Sequence, residues 1–229
     1  MDAIRAERPV KRRSLMNAKT AFRLLITVSA AFIFWMLLNR FAVDPDATDF
    51  LSHKTNLTRS INLPVWLTML NVHVVFACLA FVAGAINFAS AKFRKYRKLH
   101  CILGYVYIVA VLVVCLTSGY MAPFATGGKI VSIAFNLLNI LWIFITVSAY
   151  FQIRQGRIEN HRRWMIRSYA FCFTNQMIHT LMLLFIDVLG MSFEVGYTTS
   201  VVGSIVFLFL AAEWIIRRLQ VGGGPVPFQ

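Results

Sequence analysis

The chain has 229 residues, of which 59% are apolar and 14% charged, and its mean hydropathy is +0.67. An average soluble domain reaches only about 45–50% apolar with glycine counted, so this composition excludes a disordered chain and a charged soluble enzyme, and it points to lipid as the main solvent. The net charge of +14 does not call for a nucleic-acid partner, because the cations fall between long apolar runs as topology signals do.

Crossing about 30 Å of hydrocarbon takes roughly 20 mostly apolar residues. Six runs meet that length, at 22–43, 64–90, 101–122, 130–153, 164–189 and 198–216. The fold expected is all-α, one polytopic bundle of six transmembrane helices over residues 22–216. A basic cytoplasmic leader covers 1–21 and a flexible tail, rich in Gly and Pro, covers 217–229. The first run resembles a signal peptide in following basic residues, but Phe41-Ala42-Val43-Asp44 is a poor small-residue cleavage site, so an uncleaved span is expected.

Lysine and arginine divide nineteen to four between the two sides. The nineteen lie in the amino-terminal segment through Arg23, in 91–100, in 154–167 and after the sixth span; the four are Arg40, Lys54, Arg59 and Lys129. Positive charge stays inside, which predicts that both termini are cytoplasmic and that the protein sits in the inner, cytoplasmic membrane. Asp44, Asp46, Asp49 and His53 form an acidic outer loop, read as solvated. The four cysteines, Cys78, Cys101, Cys115 and Cys172, form no Cys-x-x-Cys pair and read as free thiols. No internal repeat and no obviously broken helix appears, which weighs against a two-halved carrier.

Lipid offers no hydrogen bonds, so polar side chains within spans turn toward the bundle interior, and their spacing maps that face. The second span carries His73, Ala77, Ala80, Gly84 and Asn87 at helical steps. The third carries His100, Gly104, Tyr107 and Ser118; the fourth Ser132, Asn136, Asn139, Thr146 and Tyr150; the fifth Ser168, Cys172, Asn175 and His179. The plain reading of these stripes is hydrogen bonding between helices. The histidines allow another. His73 and His179 lie at depths of ~14 and ~15 Å from the outer surface by helical rise, and His100 and His161 share a level at the cytoplasmic ends of the third and fifth spans. Imidazoles paired across two helices are how membrane haem b is held. The expected cofactor site is therefore His73 with His179, as iron ligands or as hydrogen-bond partners of a quinone, with Asn175 beside them and His100 and His161 as a second level.

The cytoplasmic rim gathers Lys92, Arg94, Lys95, Arg97, Lys98, Arg162 and Arg163, which attract anionic lipid. Arg167 lies a turn inside Arg163 and Glu213 is at a comparable depth, so the two are expected to pair structurally, or Arg167 to hold a propionate or phosphate.

His73 in the second span, His100, Gly104 and Tyr107 opening the third, the run His161-Arg162-Arg163-Trp164-Met165-Ile166-Arg167-Ser168-Tyr169 opening the fifth, and Glu213-Trp214 closing the sixth together resemble a bacterial multipass family catalogued as domain of unknown function 2306. The resemblance spans roughly 70–216. It implies an integral membrane protein and brings no reaction with it. From the residues themselves the leading expectation is a redox or electron-transfer protein binding haem b or quinone. Next stands a non-catalytic membrane subunit or assembly factor that docks a protein partner or anionic lipid, and third a small carrier. A hydrolase ranks last, since no Ser-His-Asp or zinc-type spacing is visible.

Overall fold

The computed structural model describes residues 11–52, 60–90 and 96–221, and all regular structure among them is helical. Helix α1, Lys11–Leu38, runs into a π-helical turn Asn39–Val43, and a short α2, Thr48–Ser52, follows. Then come α3, Leu63–Ser90, α4, Arg97–Met121, and α5, Gly128–Arg154. The next crossing is built in pieces: α6, Ile158–Ala170, a 3-10 turn Phe171–Phe173, α7, Thr174–Met182, and a π-helical stretch Leu183–Val188. Helix α8, Phe193–Val221, closes the bundle. Six stretches are long and apolar enough to cross a membrane: Arg23–Val43, Leu63–Ala89, Arg97–Phe124, Gly128–Arg154, Ile158–Val188 and Phe193–Leu219.

The expected number of spans and the all-helical class agree with this architecture, while several boundaries move outward. The fifth span starts at Ile158 rather than 164, and the sixth at Phe193 rather than 198. Hydrogen bonding carries a helix through flanking polar residues that an apolar count leaves out. The first ten residues, His53, the cations Lys92, Arg94 and Lys95, and the tail from 222 lie outside the described residues.

Neighbours in sequence pack side by side. Helix α3 runs against α4, α5 against α4 and α6, and α8 against α6 and α7. The α3 and α4 backbones approach closely because Ala80, Ala83 and Ala110 are fully buried between them, the small-residue contact that lipid-embedded helices depend on. A further core of Val131, Ile178 and Val201 joins α5, α7 and α8. The turn into α5 is tight: Gly127 has φ 85°, and a Cβ there would overlap Thr198 Oγ1 at 2.6 Å. Only glycine suits both conditions.

The fifth span departs from the expectation of unbroken helices. Its first half packs chiefly on α5 and its second on α8. Between them the 3-10 turn tightens the winding, and the Thr174 hydroxyl donates to the Phe171 carbonyl at 2.7 Å. At 3.0 rather than 3.6 residues per turn, three residues rotate everything that follows by about 60°. The span is thus rewound and not interrupted, since helical structure continues on both sides.

The first span is peripheral. Ser29, 1% exposed, donates its hydroxyl to Gln176 Oε1 at 2.6 Å, and Ile26 and Ile33 rest on the core. Most of its other apolar side chains, Leu24, Phe34 and Trp35 among them, face outward. Where the span ends, buried Arg40 donates to the carbonyls of Asp44 and Pro45, which the end of the helix leaves open.

Candidate functional site

His73 sits in α3 and is partly buried. Its Nδ1 is 3.2 Å from the Val114 carbonyl oxygen and 3.1 Å from Thr117 Oγ1 on α4. A carbonyl only accepts, so Nδ1 carries the hydrogen and the Nε2 lone pair is the one that remains for a ligand. Thr117 supports the same assignment: its hydroxyl donates to the carbonyls of Val113 at 2.8 Å and Val114 at 3.0 Å, which leaves its oxygen to accept from the ring. Ligating histidines are held in this way, with one ring N–H on a backbone carbonyl fixing tautomer and orientation.

His179, expected to face His73, has different surroundings. It is exposed on α7, with its ring 5.8 Å from that of Phe32 on the first span. Asn175, one turn earlier, is exposed as well. Among the described residues no hydrogen bond or ring contact joins His73 to His179. The rotation at Phe171–Phe173 accounts for the exposure, because a stripe drawn straight from Ser168 to His179 ignores it.

At the basic end the structure does bring histidines together. His161 Nδ1 donates to the Ala149 carbonyl of α5 at 2.8 Å, so its Nε2 also holds the lone pair. His100, at the start of α4, reaches the Asn87 backbone at the end of α3, and His100 and His161 lie within electrostatic reach of one another. Both helices begin earlier than expected, which puts each ring about a turn inside its span.

Between these two levels lies a polar cluster centred on Ser168, which is fully buried. Its hydroxyl oxygen is 2.7 Å from the Tyr107 hydroxyl and 2.7 Å from Thr146 Oγ1, and it accepts the Trp142 indole N–H at 3.2 Å. Three helices are thereby tied at one atom. Cys172 Sγ lies 3.9 Å from the same tyrosine oxygen. Next to the cluster, Tyr169 donates its hydroxyl to the Phe81 carbonyl at 3.1 Å, and a Cβ at Gly84 would overlap the Tyr169 ring, with Cδ2 only 2.5 Å away. Tyr107, Thr146 and Ser168 stood on the expected stripes. Trp142 did not, because an indole counts as apolar and its single N–H leaves no periodic trace.

Arg167 and Glu213 meet as a fork. Nε donates to Oε1 at 2.5 Å and Nη2 to Oε2 at 3.2 Å, with both side chains about one-fifth exposed. The guanidinium carbon also lies 4.9 Å from the centre of the Trp164 ring, so one face of the cation is covered by the indole. With its fork occupied by Glu213, Arg167 serves α6 and α8 as a tie and has little left for a propionate. Among the described residues no group of three or more His, Cys, Asp or Glu is arranged to hold a metal ion.

The model of the family described as "Predicted membrane protein (DUF2306)" matches residues 70–216. The chain belongs to that family. No curated protein and no solved structure matches it. The matched stretch contains His73, His100, His161, His179, the Ser168 cluster and the Arg167–Glu213 pair, and it leaves out the first span. The family is one of integral membrane proteins, so contact with the lipid bilayer follows from both the family and the six spans.

Proposed function

We propose that this member of the family is a redox protein of the inner membrane, with both termini in the cytoplasm, that binds haem b or a quinone at histidines on two levels. The observation that carries the reading is the Nδ1 bond from His73 to the Val114 carbonyl. It leaves Nε2 as a neutral lone pair inside a membrane bundle, and that lone pair suits an iron atom or the hydroxyl of a quinol. His161, held likewise on Ala149, and His100 within electrostatic reach of it form the second level. His179 and Asn175 belong to the site when a ligand spans the distance between α3 and α7.

The test is the visible spectrum of the full-length protein, purified in mild detergent from cells supplied with haem precursor, with organic extraction of quinone from the same sample. A Soret band or co-purifying quinone is expected, and His73→Ala should remove it while helical content stays unchanged. A folded protein with neither haem nor quinone overturns the reading.

A second reading, a non-catalytic subunit docked on a partner helix, is favoured by Asn175 and His179, two polar side chains exposed along one side of α7. Polar groups that face lipid are costly, and a neighbouring helix that bonded them would offset this. Crosslinking from a photoreactive residue at Asn175 distinguishes the two: a defined protein adduct supports docking, and adducts to lipid alone remove it.

A further inference from the structure

The outward side of α7 carries a stripe that lipid alone does not suit. Asn175, His179 and Leu183 recur at steps of four residues over about 12 Å of helical rise, and all three are exposed. Asn175 falls at the middle of its span, Ile158–Val188. Among the described residues Asn175 has no hydrogen-bond partner, and His179 has only its ring contact with Phe32. All six spans are described from end to end, so every neighbour that the bundle itself offers α7 at that depth is among them. The first span touches the same helix, through Ser29 on Gln176 and Phe32 on His179, and still leaves the stripe open.

We infer that this stripe is the contact between two copies of the chain, related by a two-fold axis along the membrane normal, with the Asn175 side chains of the two copies hydrogen-bonded to each other and the His179 rings paired one turn away. The inference rests on the docking reading above and names its partner. Hydrocarbon tails carry no hydrogen-bonding groups, so an occupant at mid-membrane has to bring donors and acceptors of its own, at two depths one helical turn apart. A second copy does so by construction. One sequence inserts in one direction, and a two-fold mate therefore presents the same residues at the same depths. Both side chains are also self-complementary: the carboxamide has donors on Nδ2 and an acceptor on Oδ1, and a neutral imidazole has one donor and one acceptor. A stripe of carboxylates, ammonium groups or indoles would not pair with itself in this way. Asparagine facing asparagine fixes the register of parallel helices in coiled coils, and polar side chains join helices within lipid through the same bonds.

The test places a photoreactive residue at Leu183, which keeps Asn175 and His179 intact, in the full-length protein, and irradiates it both in native membranes and after purification into phosphatidylcholine vesicles. A product of twice the chain's mass is expected in both, crosslinked within α7. The same residue at Ile140, 67% exposed on α5, should give no such product. Energy transfer between labelled chains, diluted stepwise with lipid, then gives the dissociation constant. Asn175→Leu should raise it about tenfold, in line with interhelical hydrogen bonds in lipid, and His179→Leu should raise it less, with circular dichroism unchanged in both. Lipid adducts alone from Leu183 overturn the inference together with the docking reading. Adducts to a different protein in native membranes, with no doubled product in vesicles, overturn the second copy and leave the docking reading in place. A dissociation constant unchanged in both Asn175→Leu and His179→Leu also overturns the inference, and if neither variant folds, the Leu183 crosslink in the otherwise native chain decides it.

Discussion

The first span and the core around Ser168 are both strongly apolar, yet they are held in different ways. The most apolar windows of the first span and of the fourth, which carries Trp142 and Thr146, have mean hydropathies of 1.8 and 2.2, but 6% of the first and 33% of the fourth is buried inside the bundle. Apolar content puts a helix into lipid and does not attach it to its neighbours, because lipid tails solvate leucine as well as another helix does. Attachment comes from small residues and hydrogen bonds. In the core, Ser168 ties α4, α5 and α6 at one oxygen and Gly84 admits the Tyr169 ring. Among the described residues, the span Arg23–Val43 shows one comparable side-chain bond to another span, Ser29 to Gln176. The match to the family starts at residue 70, so this lightly attached helix lies outside the stretch by which the family is recognised.

The comparison breaks most readily at Gly84. Gly84→Leu drives a side chain into the space of the Tyr169 ring, and overpacking of this kind costs about 1–3 kcal/mol or more. Loss of folded yield is expected, read as aggregation on size-exclusion chromatography, with Gly84→Ala milder. If Gly84→Leu is as stable as wild type, the close approach of α3 to α6 is wrong.

A smaller effect is expected at the rim. Arg167→Gln or Glu213→Gln alone leaves one charge without its partner at the membrane boundary, at a cost of about 1–3 kcal/mol for a half-buried pair. The double substitution should recover part of the loss. Thermal unfolding in detergent of the four proteins gives the coupling directly, and strictly additive losses would show that the fork contributes nothing beyond two independent sites.

What the sequence disclosed depended on whether a property was local. The six spans follow from the length of apolar runs alone. The meeting of Arg167 and Glu213 was foreseeable from depth, since each is a charge too far inside to stand unpaired. The interior direction of His73 followed from its place beside Ala77 and Ala80 on one helical face. The surroundings of His179 did not follow, because the 3-10 turn at Phe171–Phe173 has neither proline nor glycine to announce it. Its tighter winding is a tertiary outcome, with Phe171 buried against Trp142. A period of 3.6 continued through that turn points Asn175 and His179 about 60° away from where they lie. Trp142 escaped for another reason: hydropathy records the size of the indole and not its one donor, so the bond to Ser168 needs three dimensions to be seen.

The smallest effect belongs to the first span, and it sharpens the comparison most. Ser29→Ala removes the one side-chain hydrogen bond that joins the span to α7 among the described residues, at about 0.6 kcal/mol on the average measured for such bonds between membrane helices. Global stability should scarcely change, because the Ser168 cluster and the α3–α4 contact do not involve that helix. The movement of the first span should change measurably all the same. A cysteine pair placed at Ala30 and at Met177 reports the distance between the first span and α7 by crosslinking rate, and in a Ser29→Ala background that rate should fall while the unfolding temperature stays within error. Equal losses in rate and in unfolding temperature would mean that the first span is part of the core's cooperative unit. The division between an inserted helix and a packed one would then not describe this bundle.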